Sequence, residues 1–250
     1  MRTIQDTMVI FRNELAGSLR NRIGIAIGLI QPFVYLALFG PLLIKALPGA
    51  GTDAWKIYIP GLLVQLGLFA TGYAGFNLIP DIRAGVVERM RVTPVSRLAL
   101  LLGRVLRDAV ILFIQAVTLV IAGILFGLRA PVLGILCGLV LMVILGVSLA
   151  ALSYTLAMAL PGEYLFAPAI NAIALPLMLL SGILLPLSFA PAWLRWVADL
   201  NPFRYAVDAM RGLFVGGYTS PAVLVGVAVS IALAVVSVAV GTRTFSRYNA

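Results

Sequence analysis

The sequence predicts an all-α membrane protein with six transmembrane helices. Of its 250 residues, 62% are hydrophobic and 11% are charged, whereas a soluble domain has about 25% charged residues. Six segments without charge each reach the roughly 20 residues that a helix needs to cross a hydrocarbon core. The predicted spans are 23–44, 57–80, 109–128, 131–160, 165–189 and 221–241.

Residues 1–22 are predicted to form an amphipathic helix. At 100° per residue, five apolar side chains fall on one face: Ile4, Met8, Phe11, Leu15 and Leu19. Such a helix lies along the headgroup layer, where it anchors the first span or contacts a partner. We interpret the first span as retained rather than as a cleaved signal core, because a signal core usually has about 7 to 15 apolar residues.

The basic residues predict the orientation, since lysine and arginine are retained on the cytoplasmic side. Twelve lie in the amino-terminal tail, in 81–107 and in the carboxyl tail, against six on the opposite side. Both termini and 81–107 are therefore expected in the cytoplasm, and the protein in the cell membrane (plasma or inner). The net charge of +9 fits arginines beside anionic lipid headgroups, so no nucleic acid is expected as a partner.

Several residue types that catalysis would need are missing. The sequence has no histidine, and its nine acids are not clustered. Its only lysines, Lys45 and Lys56, do not follow the spacing of a phosphate-binding loop. We therefore expect no enzyme, no metal and no cofactor on this chain. Energy for uphill transport would come from another subunit, although a self-sufficient channel or secondary transporter stays open, as does, more weakly, an intramembrane enzyme.

The charged segment 81–107 holds six arginines between two apolar spans. Residues 81–91 suit a short helix that ends at Pro94, because proline restricts the residue before it. A second stretch, 98–107, is predicted with its leucines facing lipid and with Arg104 and Arg107 facing the surface. This hairpin is either a docking surface for a soluble partner or a loop that anchors the protein to lipid.

Two polar stripes mark a candidate pathway. The second span places one set of residues on one face, and the fifth span another: Gln65, Phe69, Tyr73 and Phe76; Asn171, Leu175 and Met178. Aromatic, thioether and amide groups suit a lipophilic passenger. The same residues also suit helix packing with amides bonded across the interface, as Gly134 and Gly138 suit close helix contact.

Short helices are predicted between the fifth and sixth spans, over 190–216. Trp193 and Trp196 are expected at the membrane interface. Asn201 has the position of a helix cap with Pro202 after it, and Asp208 is spaced to pair with Arg204 and with Arg211. These helices are either a purely structural cap or part of a gate.

Two runs of sequence resemble a known family. They are ERMRVTPVSRLALLLGRVL (88–106) and LSGILLPLSFAPAWLRWVADLNPFRYAVDAMRGLF (180–214). Together with the span pattern they resemble, over the whole length, the permease subunits of ABC-2 type exporters. That group includes daunorubicin-resistance-type, lipo-oligosaccharide and polysaccharide exporters.

The resemblance implies a mechanism. Two permeases pair, with a homodimer favoured, and two ATP-binding subunits holding ATP and Mg²⁺ dock against a cytoplasmic coupling helix. It assigns the coupling to Ile82, Arg83, Val87, Glu88, Arg89 and Arg91. It places a substrate cavity along the second and fifth spans, closed on the outer side by Trp193, Asn201, Pro202, Asp208 and Arg211. A drug, lipid or glycolipid is expected as the substrate, and a saccharide polymer stays open.

Overall fold

The computed structural model describes residues 2–46, 53–83, 97–160, 162–183 and 190–247. These residues are almost entirely helical. The helices are α1 (Arg2–Arg20), α2 (Arg22–Ala46), α3 (Asp53–Gly72), a 3₁₀ turn (Ala74–Asn77), α4 (Leu78–Arg83), α5 (Arg97–Leu125), α6 (Val132–Ala159), α7 (Glu163–Leu180), α8 (Ala192–Asp199), α9 (Pro202–Val215) and α10 (Pro221–Arg247).

Five helical segments are long and apolar enough to cross a membrane. They are Ala54–Pro80, Leu98–Leu125, Val132–Ala159, Glu163–Leu180 and Pro221–Thr244. The predicted first span lies on α2, within which Ala26–Leu42 is a described apolar stretch. A multi-pass helical protein is thereby confirmed among the described residues. The first of the six predicted spans, 23–44, stays a prediction.

Helix α3 forms the centre of the bundle. It contacts α2, α5, α6 and α9, and Ile59, Leu62 and Leu63 on it are fully buried. Polar side chains within a membrane span favour the interior of the bundle over lipid, and Gln65 and Thr71 on α3 are both buried. The polar residues of α3 are therefore held between other helices.

At one end of the bundle, α1 packs across the beginning of α5. A Cβ on Gly103 would lie 2.7 Å from a side-chain carbon of Ile10, so the glycine permits this close approach. We call this the α1 end. The stretch 98–107 belongs to α5 itself, and the prediction that its leucines face lipid is wrong for Leu100 and Leu101, which are buried in the core.

At the opposite end, α9 packs into a groove of α6. A Cβ on Gly134 would lie 2.1 Å from the carbonyl oxygen of Leu213, and one on Gly138 would lie 2.8 Å from Phe214. These two glycines thus bring the helices together, as the sequence predicts. We call this the α9 end; it also holds the beginnings of α3 and α6.

The second predicted span is broken near the α1 end. Helix α3 stops at Gly72, and a 3₁₀ turn leads into α4. Ser153 on α6 holds both sides of the break, since its hydroxyl accepts a 2.8 Å hydrogen bond from the Gly75 amide and donates to the Gly72 carbonyl. A 3₁₀ stretch within a span often marks a hinge.

Candidate functional site: a polar cavity at the α1 end

The predicted coupling residues lie at the edge of what the structure describes. Ile82 and Arg83 form the last turn of α4, directly after the break in the second span. Val87, Glu88, Arg89 and Arg91 lie outside the described residues. Their role in coupling therefore stays a prediction.

A cavity of about 1300 Å³ opens between α1, α2, α3, α5 and α7. Five residues of the two predicted stripes line it: Gln65, Phe69, Tyr73, Asn171 and Leu175. The Tyr73 hydroxyl donates a 2.9 Å hydrogen bond to Oδ1 of Asn171, so the stripes from α3 and α7 meet directly. A hydrogen bond between side chains of two helices is what we expect if these residues serve helix packing. The same bond lies in the wall of a cavity that is large enough for a small-molecule substrate.

Two residues of the stripes lie away from this cavity. Phe76 packs against Phe166, with ring centroids 6.1 Å apart. Met178 is buried in the core near the end of α7. Five of the seven predicted pathway residues therefore line the cavity, and the other two, Phe76 and Met178, do not.

Four charged residues and a tyrosine form a charge cluster at the α1 end: Glu14, Arg104, Arg107, Asp108 and Tyr154. Nε of Arg104 lies 3.2 Å from Oε1 of Glu14, and Nη1 of Arg107 lies 3.1 Å from Oε2. A single carboxylate on α1 thus bridges two arginines one turn apart on α5.

Asp108 and Tyr154 complete the cluster. Nη2 of Arg107 lies 2.8 Å from Oδ1 of Asp108 and donates a 2.9 Å hydrogen bond to the Tyr154 hydroxyl. That hydroxyl in turn donates to Oδ2 of Asp108. The cluster therefore joins α1, α5 and α6 through side chains alone.

The prediction that Arg104 and Arg107 face the surface is wrong. Their exposed fractions are 7% and 8%. A buried guanidinium needs paired carboxylates, because removing a charge from water is costly. Glu14, 90 or more residues earlier in the chain, and Asp108 supply them.

Two glutamines lie deeper along the cavity wall. Gln65 on α3 and Gln115 on α5 are both buried, and both line the cavity. Gln115 follows Arg104 by eleven residues, which is about 16 Å along the helix axis. The cavity thus extends from the charge cluster into the apolar part of the bundle.

The predicted gate residues lie at the α9 end, away from the cavity. Asn201 caps α9 as predicted: its Oδ1 accepts a 3.0 Å hydrogen bond from the Phe203 amide, with Pro202 at the first helical position. Its Nδ2 also donates a 2.7 Å hydrogen bond to the Leu177 carbonyl in the last turn of α7. One side chain therefore satisfies the ends of two helices.

Arg211 makes a similar connection. It donates to the carbonyls of Ile57 (3.1 Å) and Gly182 (2.8 Å), rather than forming the predicted pair with Asp208. Asp208 lies 3.8 Å from Nε of Arg204, as predicted. Burial lowers the pKa of Arg211 against the opposing effect of Asp208, and burial raises the pKa of Asp208 against the opposing effects of Arg211 and Arg204.

Trp193 lies on α8, which contacts α7 and α9. It is 67% exposed, and Trp196 on the same helix is also exposed. Exposed indoles at the end of a membrane-spanning bundle suit the headgroup region. Their position beside α9 matches the predicted order of short helices between the fifth and sixth spans.

Comparison with known proteins identifies the family. A model of the family described as ABC-2 type transporter matches residues 5–215. The chain belongs to this family. It is therefore a membrane permease subunit of an ABC transporter, and a multi-pass membrane protein.

Similar proteins in other organisms are named as transport or drug-resistance permeases. It is 28% identical to the daunorubicin resistance ABC transporter permease protein DrrB1 of Streptomyces coeruleorubidus, over 75% of this chain and 67% of that protein. It is 28% identical to the putative transport permease ycf38 of Cyanophora paradoxa, over 84% of this chain and 74% of that one. The corresponding protein of Pyropia yezoensis is 31% identical, over 75% of this chain and 66% of its own length.

The sequence reasoning missed a large part of the cavity wall. Asn13 and Glu14 on α1, Gln31 on α2 and the Arg104, Arg107, Asp108 and Gln115 series on α5 all line the cavity. The sequence does indicate that Gln115 faces other helices or a cavity, because it is an isolated amide in an apolar span. The position of Glu14 could not be predicted, because nothing in the sequence of α1 indicates that this residue contacts α5.

Proposed function

We propose that this permease moves a lipophilic or amphiphilic substrate, such as a drug, lipid or glycolipid, out of the cytoplasm or inner leaflet. Two separate ATP-binding subunits drive alternating access. The family match over 5–215 carries the proposal. The name of the Streptomyces relative, a daunorubicin resistance permease, supports an exporter of such compounds.

The cavity at the α1 end is the substrate site in this proposal. Its volume of about 1300 Å³ exceeds the roughly 300 to 1000 Å³ of pockets for drug-sized molecules. Phe69 and Leu175 offer apolar contacts, and Gln65, Tyr73 and Asn171 offer polar ones. The helices α8 and α9, with Trp193, Asn201, Pro202, Asp208 and Arg211, close the opposite end.

Within the segment 81–107, residues 81–91 are the site of coupling. We expect both termini and this segment in the cytoplasm, and the protein in the plasma or inner membrane. Two ATP-binding subunits, which hold ATP and Mg²⁺, dock against Ile82, Arg83, Val87, Glu88, Arg89 and Arg91. Because α4 leads from this segment into the broken second span, a push on α4 reaches the cavity wall directly. A second copy of the permease completes the complex, in contact with membrane lipids.

Replacing Glu88 with alanine tests this function. In proteoliposomes that hold the permease and its ATP-binding subunit, Glu88→Ala should abolish substrate-stimulated ATP hydrolysis and leave membrane insertion unchanged. Glu163→Ala is the control, because Glu163 begins α7 on the same predicted side but outside the coupling segment.

Two results would contradict the proposal. Unchanged coupling in Glu88→Ala would remove the assigned role of that residue. Transport by the permease alone, without ATP or a second subunit, would favour a secondary transporter or channel. Copurification of an ATP-binding subunit on a tag at Ala250 checks the partnership itself.

A further inference from the structure

The polar lining of the cavity consists largely of amides. Seven amide side chains line it, each from a different helix, link or turn: Asn13, Asn21, Gln31, Gln65, Asn77, Gln115 and Asn171. An amide both donates and accepts hydrogen bonds. Hydroxyl groups do the same, so this lining matches a headgroup that carries many hydroxyls.

The charges along the cavity are paired with one another. Four charged side chains line the described part of the cavity, namely Glu14, Arg104, Arg107 and Asp108, and each lies in an ion pair with another of the four. Two arginines and two carboxylates sum to a formal charge of zero. A charged passenger would have to displace one of these partners, whereas an uncharged one would not.

The buried amide of Gln65 is a second indication of a ligand, independent of the composition of the lining. It is 2% exposed, and neither its Nε2 nor its Oε1 has a hydrogen-bond partner among the described residues. A buried amide without partners is unfavourable, and native structures avoid it. A ligand that supplies both a donor and an acceptor at this depth would satisfy Gln65.

We propose that the cavity binds the uncharged, hydroxyl-rich headgroup of an amphiphile, that is, a neutral glycosylated lipid or a molecule of the same chemistry. The inference rests on the proposed function, since it names the substrate class at the same site. The amides bind the hydroxyls, and Leu66, Phe69 and Ile111 between them contact the apolar part. The charge cluster stays paired and does not attract a charged headgroup.

Binding to the purified full chain tests this inference without any ATP-binding subunit. The permease is placed in phosphatidylcholine nanodiscs and titrated with three fluorescent lipids of identical acyl chains. One carries a glucosyl headgroup, one is phosphatidylglycerol, and one carries a trimethylammonium group. We expect the glucosyl lipid to bind at least about tenfold more tightly than either charged lipid.

Gln65→Met is the decisive variant, because methionine has a similar size but no polar group. It should weaken binding of the glucosyl lipid about tenfold and raise the thermal midpoint of the ligand-free protein, since an unsatisfied amide is removed. Ser237→Ala is the matched control. Ser237 on α10 is also buried without a described partner but does not line the cavity, so glucosyl binding should not change.

A second variant, Asn77→Ala, tests the inference even if Gln65→Met does not fold. Asn77 lies on the exposed rim of the cavity, so Asn77→Ala should fold normally and weaken glucosyl binding about threefold. Equal or tighter binding of either charged lipid overturns the inference, and so does unchanged glucosyl binding in Gln65→Met or, where that variant does not fold, in Asn77→Ala. Loss of ATP-driven transport with intact binding would instead count against the proposed function.

Discussion

The two ends of the bundle hold their helices together in different ways. At the α9 end, polar side chains bond to backbone: Asn201 to the Leu177 carbonyl, and Arg211 to the carbonyls of Ile57 and Gly182. At the α1 end, Glu14, Arg104 and their neighbours bond to one another, beside a large cavity. A backbone carbonyl moves only with its helix, whereas side chains exchange partners by rotation. We therefore expect the α9 end to stay assembled and the α1 end to rearrange.

The largest effect is expected from breaking the close packing at the α9 end. Gly134→Ala places a methyl group where the Leu213 carbonyl lies 2.1 Å from the ideal Cβ position, so α6 and α9 must separate. Overpacking of this kind costs about 1 to 3 kcal/mol. The thermal midpoint of the purified permease should fall accordingly.

Gly17→Ala is the control for this substitution. Gly17 lies within α1, and a Cβ there would meet nothing within 4 Å. Because alanine favours helices over glycine by about 0.5 to 1 kcal/mol, this variant should be neutral or slightly more stable. An equal loss of stability in both variants would remove the contrast between the two ends.

A medium effect is expected at Asn201, which has two separable roles. Asn201→Ala loses both the α9 cap and the bond to the Leu177 carbonyl, for about 1 to 2 kcal/mol. Asn201→Ser keeps a good cap but is too short to reach Leu177, so its thermal midpoint should lie between those of the alanine variant and the wild type. If Asn201→Ser is as stable as the wild type, the bond from Asn201 to the Leu177 carbonyl contributes nothing to the stability of the α9 end.

The smallest effect on stability is expected at the α1 end. Glu14→Gln removes a charge from the cluster but keeps an oxygen for Arg104 and Arg107, and Glu14 borders an open cavity. We expect a loss of about 1 kcal/mol, because the amide oxygen still accepts hydrogen bonds from the two buried guanidiniums and Arg107 keeps its pair with Asp108. Hydrogen exchange of the α1 amides should nevertheless become faster, because the bridge from α1 to α5 loses its negative charge and one of its two oxygens.

Asp6→Asn serves as the comparison for this variant. Asp6 is also an acid on α1, but it does not line the cavity. Exchange in α1 should match the wild type in this variant. Equal acceleration in both variants would show that helix charge, rather than the bridge to α5, sets the stability of α1.

Local patterns predicted the features that depend on neighbouring residues. The apolar runs gave the spans from α3 onward, the Asn201 and Pro202 pair gave the beginning of α9, and Gly134 and Gly138 gave close packing. Each depends on hydrophobicity, capping or side-chain size within a few residues. These are the properties that a single sequence displays directly.

The cavity depends on contacts between distant residues, which explains why its boundaries were not predicted. A run of arginines indicates a surface when it is considered alone, yet Arg104 and Arg107 are buried because Glu14 reaches them from α1. The isolated amide of Gln65 was recognised because an amide in an apolar span is conspicuous. Its missing hydrogen bonds, in contrast, are visible only once the helices are assembled.

Helix α6 contacts both of these ends. Its Ser153 bridges the break in the second span, and its Gly134, about 28 Å away along the axis, touches the α9 backbone. A tilt of α6 about either contact would displace the other, as a rigid rod does. For the proposed alternating access, we therefore expect α6 to couple a change in the cavity to a movement of the α9 end as a unit, through its contacts at Ser153 and Gly134.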